Sequence, residues 1–419
     1  MDDRAELLTL LDACRAEGAR AVEVLHQRHE RFLTTGMRIR PARTTEEAWT
    51  ARVWLDGGRA GVATAPTRKG LAERAVAAAR LAPLSELAGP ADRYPPPSGS
   101  LGIDDRRWGN VHDDDRNELL GTAERFLSVG GTVLRRLQYD EVRERRSLLS
   151  TREVELTAAA TTWSLSAEAT LGSTTLRHRI ASRHFADVAS LPFGLDLRRR
   201  LEGFVHAERL PDVPLPVVLD PAGMASLVRS LAPAFVAPGL SGSFLRGRLG
   251  RPLASPVLHV TDDAGQASGL YTWPFDERGV VPFAVPLLKE GVPNSLFHDP
   301  ESARAAGLRP TGHVREGTVR PSNLVVRPGS RTRNVILGEL ADHLVVDELP
   351  PVALATGRIQ GPCRVGVVRA GARTGGLVVH LDLDVGDLLS RVVEVASDQE
   401  RCQEVDTPTT VFAPLPFTG

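Results

Sequence analysis

Residues 153–171 read Glu-Val-Glu-Leu-Thr-Ala-Ala-Ala-Thr-Thr-Trp-Ser-Leu-Ser-Ala-Glu-Ala-Thr-Leu. Val154, Leu156, Ala158 and Ala160 alternate with Glu153, Glu155, Thr157 and Ala159. Trp163, Leu165, Ala167, Ala169 and Leu171 then alternate with Ser164, Ser166, Glu168 and Thr170. A period of two is the signature of a strand. One apolar and one wet face predict an antiparallel sheet covered by helices on a single side.

Working outward, Leu7, Leu10, Leu11 and Cys14 fall at helical spacing and predict a helix over 3–17 that stops at Gly18. Extended chain is expected from about 20 to 64, with a hairpin turn at Asp56-Gly57-Gly58. The Ala-rich stripe of 68–82 predicts a helix lying close on a sheet. Residues 83–113 read as a Pro/Gly/Asp-rich surface excursion around Arg93-Tyr94-Pro95-Pro96-Pro97-Ser98-Gly99. Helices are expected at 115–128, capped by Asp114 or Asp115, and near 195–208.

Three prolines in Leu210-Pro211-Asp212-Val213-Pro214-Leu215-Pro216 mark a domain boundary. Beyond it comes a buried strand, Val217-Val218-Leu219, and a helix opened by Asp220-Pro221 with Met224, Leu227, Val228 and Leu231 inside. From 250 onward short strands dominate, with helical segments near 300–306 and 384–397. The expected fold is α+β in two domains: 1–210, an antiparallel sheet with helices on one face, and 215–419, mostly β and barrel-like with helices.

The 419 residues are 42% apolar and 25% charged, an ordinary globular composition that excludes wholesale disorder and coiled coil. Lys69 and Lys289 are the only lysines among 51 basic residues, a bias that fits a GC-rich bacterial genome. The net charge of -1 offers no global field for nucleic acid or an anionic membrane. Cys14, Cys363 and Cys402 are too scattered for a disulfide framework. An acidic start and the lack of 18 consecutive apolar residues point to a soluble, cytoplasmic protein.

Local chemistry is sparse. No H-E-x-x-H or H-E-x-x-x-H occurs. His26 and His29 would point to opposite faces of a strand, and His178 and His184 lie far apart for one ion. Gly239-Leu240-Ser241-Gly242-Ser243 resembles a nucleophile elbow only loosely, and with Arg246-Gly247-Arg248 it lacks the Gly-Lys-Ser/Thr of a phosphate loop. Cys402 has Arg401 beside it but no nearby histidine. Asp113, Asp114 and Asp115 read as a helix-start charge cluster. No catalytic residue emerges.

Two later blocks carry a resemblance. Val257-Leu258-His259-Val260-Thr261-Asp262-Asp263 is followed by Gly269-Leu270-Tyr271-Thr272-Trp273-Pro274-Phe275-Asp276-Glu277-Arg278-Gly279-Val280. Then come Leu287-Leu288-Lys289-Glu290-Gly291-Val292-Pro293, Ser302-Ala303-Arg304-Ala305-Ala306-Gly307-Leu308, Thr311-Gly312-His313 and Arg320-Pro321-Ser322-Asn323-Leu324. In this order they resemble the TldD/PmbA family, as does the opening pattern of 20–82.

The resemblance implies two subunit types. The TldD type carries a zinc-binding H-E-x-x-x-H on the helix that opens the second domain, and the PmbA/TldE type lacks it and pairs with the first as a heterodimeric metallopeptidase. By register the motif falls here near Arg229, Ser230 and Ala234, none a zinc ligand, and no histidine lies between His206 and His259. The chain therefore resembles the non-metal subunit, binding no cofactor itself, with zinc expected in a TldD-like partner and a peptide as substrate.

Trp273, Pro274, Phe275 and Asp276 then belong either to a core corner and subunit interface or to a peptide cleft. His313 joins them as a peptide-binding or interface residue, and Asn323 either braces a loop or binds a substrate backbone. Exposed strand edges of the second domain suit an added peptide strand. Two alternatives remain: a stand-alone homodimer binding a peptide or small molecule in a biosynthetic pathway, and an enzyme using Cys402 or a His–Asp pair.

Overall fold

A computed structural model describes residues 3–36, 42–85, 89–92 and 99–418. Most of the Pro-rich stretch read as a surface excursion, 93–98, lies outside the described residues.

The N-terminal part runs α1 (Asp3–Ala16), β1 (Ala21–Thr35), β2 (Ala42–Trp54), β3 (Ala60–Ala65), α2 (Leu71–Leu81), α3 (Asp113–Leu127), β4 (Val133–Ser150), β5 (Glu155–Leu171), β6 (Thr174–Ser182), α4 (Phe185–Ser190) and α5 (Phe193–Glu202). Its six strands form one antiparallel sheet in the order β3-β2-β1-β4-β5-β6. Helices cover one face. Leu7, Leu11 and Cys14 of α1 and Leu71, Ala75 and Ala79 of α2 pack on Val22, Val24, Ala51 and Val53. Farther along the same face, Leu120, Ala123 and Leu127 of α3 and Leu197 of α5 cover Tyr139, Trp163, Leu165 and Ala167.

Three local readings need correction. α3 begins at Asp113 behind an N-cap at His112, and Asp115 reaches back to accept from the His112 N–H at 3.2 Å, so neither Asp114 nor Asp115 is the cap. The helix expected near 195–208 is α5, ending at Glu202, with the short α4 before it; Pro192, which lacks an N–H, separates the two. The excursion is not wholly on the surface, because Ile103 is buried against Ala160 and Trp273.

The larger correction concerns β5 itself. It is one continuous strand, yet its apolar positions change parity. Odd residues from Trp163 to Ala169 face the helices, whereas Leu156, Ala158 and Ala160 face the opposite side, where Phe275 and Trp273 pack. The second face is a docking surface over part of its length rather than a wet one.

The C-terminal part continues with β7 (Val217–Leu219), α6 (Pro221–Leu231), β8 (Val260–Asp262), β9 (Val285–Lys289), β10 (Val292–Pro293), α7 (Pro300–Ala306), β11 (Val314–Arg315), β12 (Thr318–Val319), β13 (Leu324–Val326), α8 (Arg333–Glu339), β14 (Asp342–Glu348), β15 (Arg358–Arg369), β16 (Ala372–Asp384), α9 (Val385–Ser390), β17 (Val392–Val395), β18 (Glu400–Cys402), β19 (Val405–Thr407) and β20 (Thr410–Phe412). Two mixed six-stranded sheets, β10-β9-β8-β13-β19-β18 and β16-β15-β14-β7-β20-β17, share one core. The parallel pairs are β13 with β19 and β14 with β7. The helix expected to run to 397 stops at Ser390, and the β-branched run Val392-Val393-Glu394-Val395 is a strand instead. α6 is capped by Asp220, whose Oδ1 accepts from the Gly223 N–H at 2.8 Å. It lies against strands of both sheets and buries Met224, Leu227, Val228 and Leu231. No described helix is long and apolar enough to cross a membrane.

Two predictions follow from this packing. A Cβ on Gly61 in β3 would lie 2.2 Å from the Ala79 N and 2.5 Å from the Ala75 O of α2, so Gly61→Ala forces helix and strand apart. It should lower the unfolding free energy by about 1–3 kcal/mol, read as a fall in the urea midpoint; an unchanged midpoint would contradict the contact. His178 stacks on Phe193 at 5.0 Å, and burial, with Arg200 nearby, pulls its pKa down to about 4 from 6.5. The unfolded chain therefore binds a proton more readily, and stability present above pH 6.5 is lost as pH falls toward 4. His178→Phe should flatten that acid-side slope in denaturation measured across pH 4–7.

Candidate functional site

The resemblance blocks converge where the C-terminal part meets the second face of the N-terminal sheet. The turn 273–280 is built around Asp276. Its Oδ1 accepts from the N–H groups of Arg278 (2.9 Å) and Val280 (3.0 Å), and its Oδ2 from that of Val314 (3.0 Å). Burial nonetheless outweighs these donors and raises its pKa to about 6. Phe275 is buried among Leu25, Leu148 and Val154. Pro274 between the two aromatic residues remains partly exposed.

Polar contacts tie the same seam. Glu23 in β1 pairs with Arg52 of β2 and lies 3.6 Å from Arg278, which also pairs with Glu301 of α7 at 3.0 Å. Gln27 donates to Glu277 at 3.0 Å, and the Glu277 carboxylate accepts the backbone N–H groups of Glu316 and Gly317.

Asn323 is fully buried. Its Oδ1 accepts from the Tyr271 N–H at 2.9 Å, and its Nδ2 donates to the Asp263 carbonyl and the Thr272 hydroxyl. Every one of these partners is internal, so the geometry is that of a brace. The His313 Nδ1 lies 2.8 Å from the Thr311 carbonyl and its Nε2 3.1 Å from Asp262. Both ring nitrogens are thus engaged by internal oxygens rather than by a nucleophile. The Ser322 hydroxyl bonds Asp262 directly instead of His313. A His–Asp pair is thus present, but not as a nucleophile–base relay. Gly312 makes the close turn before His313 possible: its φ is +75°, and a Cβ there would sit 2.5 Å from the Pro282 Cα.

Trp273, Asp276 and His313 line one narrow cavity of about 20 Å³, together with Arg146, Tyr271 and Arg315. Phe275 and Asn323 are held beside it in the packing. The arginines escaped the sequence reading. The Arg146 guanidinium lies 3.9 Å from the Trp273 ring centre, and that of Arg315 lies 3.8 Å from the Tyr271 ring. Arg183, 5.9 Å from Trp273, donates to the carbonyls of Thr161, Gly269 and Thr272 at 3.0–3.1 Å and joins β5 to the 269–272 loop. Burial, with Arg146 and Arg315 nearby, lowers its pKa to about 10. These residues come from separate elements, and the only sequence signal was the parity of Arg146 with Leu148.

The other sequence candidates lie apart. His178 stacks on Phe193, whereas His184 sits at the N-cap of α4 with its Nε2 3.3 Å from the Ser268 hydroxyl. Ser243 donates to the Ala234 carbonyl in a 3₁₀ segment. Burial raises the Cys402 thiol to about 12, and with it Glu400 and Asp220 oppose a thiolate.

The family's zinc can be tested against α6. Arg229 points to Glu404 and to the Cys402 carbonyl, the Ser230 hydroxyl donates to Leu227, and Ala234 is buried. A guanidinium with its counter-ion, a helix-bonded hydroxyl and a methyl do not form a zinc site. No group of three His, Cys, Asp or Glu able to hold a metal occurs among the described residues.

The Asp276 geometry yields a prediction. In Asp276→Asn the amide NH2 must face at least one backbone N–H, so the variant should lose about 1–3 kcal/mol of stability, measured by urea unfolding. An unaltered midpoint would show that the three bonds do not hold the turn.

Residues 213–419 match the family model described as PmbA/TldA metallopeptidase C-terminal domain. A relative from Methanothermobacter thermautotrophicus named "Metalloprotease" is 30% identical over 103 residues, and the match spans 23% of this chain and only 22% of that relative's length. Among solved structures, a Thermotoga maritima protein described as a candidate modulator of DNA gyrase superposes with TM-score 0.86 at 18% identity, covering 97% of this chain and 98% of its own. One so described from Bacteroides thetaiotaomicron gives 0.87 at 20%, covering 100% and 99%. TldE from Thermococcus kodakarensis gives 0.83 at 18%, covering 98% and 99%. At such identities the structures speak for fold, while the family model speaks for descent: through its C-terminal part, the chain belongs to the PmbA/TldD metallopeptidase family.

Proposed function

We propose that this chain is the zinc-free, TldE-like subunit of a two-subunit metallopeptidase, in which a TldD-like partner supplies the zinc and the base. The observation that carries this reading is α6. The helix keeps its Asp220 cap and its buried stripe, yet the motif positions hold Arg229 and Ser230 in its last turn and Ala234 in the 3₁₀ turn after it, and Arg229 is paired with Glu404. Such a helix supports a cleft without activating water. The outer edge of β16 is already bonded in part, Gly376 to His206 and Glu208 and His380 to Thr418, so that edge is not offered to an added peptide strand.

Co-expression with a TldD-like zinc subunit tests the proposal. The two chains should co-purify one to one, zinc should track the partner alone, and peptide hydrolysis should require the complex. A homodimer indifferent to every such partner, or a lone chain that hydrolyses peptides with a stoichiometric metal, would sink it.

A further inference from the structure

We propose that the cavity lined by Arg146, Tyr271, Trp273 and Arg315 binds a carboxylate, that of a peptide end or of an acidic side chain. The inference deepens the peptide-handling reading above and depends on it only for the molecule that carries the carboxylate.

The argument begins with charge. Arg146 is offset by Glu144, and Arg320 at the mouth by Glu316. Arg315 has no acidic side chain in ion-pair range among the described residues; its one hydrogen bond is a 3.4 Å contact to the Pro321 carbonyl. Arg183, directly behind Trp273, bonds only neutral oxygens. Like charges therefore converge with a surplus left over. Burial lowers the Arg315 pKa and the nearby Arg146 and Arg320 add to the effect, which is the electrostatic cost of that surplus. Asp276 lines the same cavity and offsets part of it, but both its oxygens are taken by backbone N–H groups, so it forms no ion pair with these arginines.

Geometry then selects the ligand. Tyr271 and Trp273 lie against the Arg315 and Arg146 guanidiniums, with ring centres 3.8 and 3.9 Å away, and take up none of their N–H groups. A guanidinium fork matches the planar pair of oxygens of a carboxylate. A cavity of about 20 Å³ has room for a water-sized group, so a carboxylate enters it with its oxygens alone and a bulky ring is excluded. The pocket is also stiff: Asn323 holds the Tyr271 N–H, and Arg183 holds the Gly269 and Thr272 carbonyls. Little ordering is then required of the protein on binding.

Isothermal titration of the purified chain, and of its complex with the zinc subunit, tests this with tri-alanine, tri-alanine amide, acetyl-aspartyl-alanine amide and acetate. Tri-alanine should bind at least tenfold tighter than its amide, and Arg315→Gln should weaken it tenfold or more. Arg177→Gln, a paired and exposed arginine elsewhere, should leave binding unchanged. If Arg315→Gln no longer unfolds cooperatively, Arg320→Gln at the mouth replaces it, with a smaller loss expected.

Preference for the aspartyl peptide over tri-alanine would assign the site to a side chain, and acetate binding as tightly as either would assign it to a free small acid. Both keep the carboxylate site. Equal binding of acid and amide, or binding indifferent to both arginine variants, overturns it. Partner assembly without carboxylate binding removes the pocket alone; carboxylate binding without assembly removes the subunit reading alone.

Discussion

The architecture depends on where β5 changes the face it keeps dry. A strand whose apolar residues stayed on one parity would be covered by α3, α4 and α5 and would leave its other face to solvent. Because Leu156, Ala158 and Ala160 turn away from the helices, the sheet carries a second apolar patch, and Trp273 and Phe275 fill it. Burying Phe275 there contributes about 1.5–3 kcal/mol. The seam around it is ionic as well as apolar, with Glu23 and Arg278 buried beside the partly buried Arg52. Such charges add little net stability because desolvation offsets their attraction, but a slipped register would leave them unpaired at greater cost. Apolar area supplies the attraction at this junction, and the ions penalise the wrong alignment.

That docking explains why the candidate site is rigid. The 269–280 segment has little regular structure of its own, yet it is fixed from below by Asn323, from the sheet side by Arg183 and internally by Asp276. A loop so constrained holds its polar edges in place without a ligand. The residues that the family pattern singles out thus serve different physical ends. Phe275 packs, Asp276 and Asn323 hold backbone, and Trp273 orients a guanidinium while packing on the sheet.

Much of this was legible in the sequence because it is local. Asp220-Pro221 names its own cap, Asp56-Gly57-Gly58 its own hairpin turn, and the Ala stripe of α2 its close approach to a strand. The parity change was also visible, since Ala160 and Trp163 are three apart, but alternation alone cannot say that one strand spans both runs. The cavity was not legible. Arg146, Arg183 and Arg315 come from β4, the segment after β6 and β11, and in a chain with so many arginines none stands out. The extended reading of the helix at 384 failed for a related reason: helical spacing was followed past Ser390 into valines whose β-branching favours a strand.

The outward side chains of α6 are set apart from what the fold requires of the helix. What the fold requires of this helix is its N-cap, its Pro221 start and its inner stripe, and all three concern backbone and core. Arg229 lies outside that stripe, turned to Glu404 and the Cys402 carbonyl, so the core does not constrain its chemistry, whereas Ala234 beyond the helix is part of the core. Arg229 also disfavours a metal beside this helix. Its fixed positive charge opposes a dication, and Glu404 is already engaged by it. Holding a metal here would mean removing that ion pair as well as adding imidazoles. On the subunit reading proposed above, electrostatics as much as missing donors would leave the zinc chemistry to the partner chain.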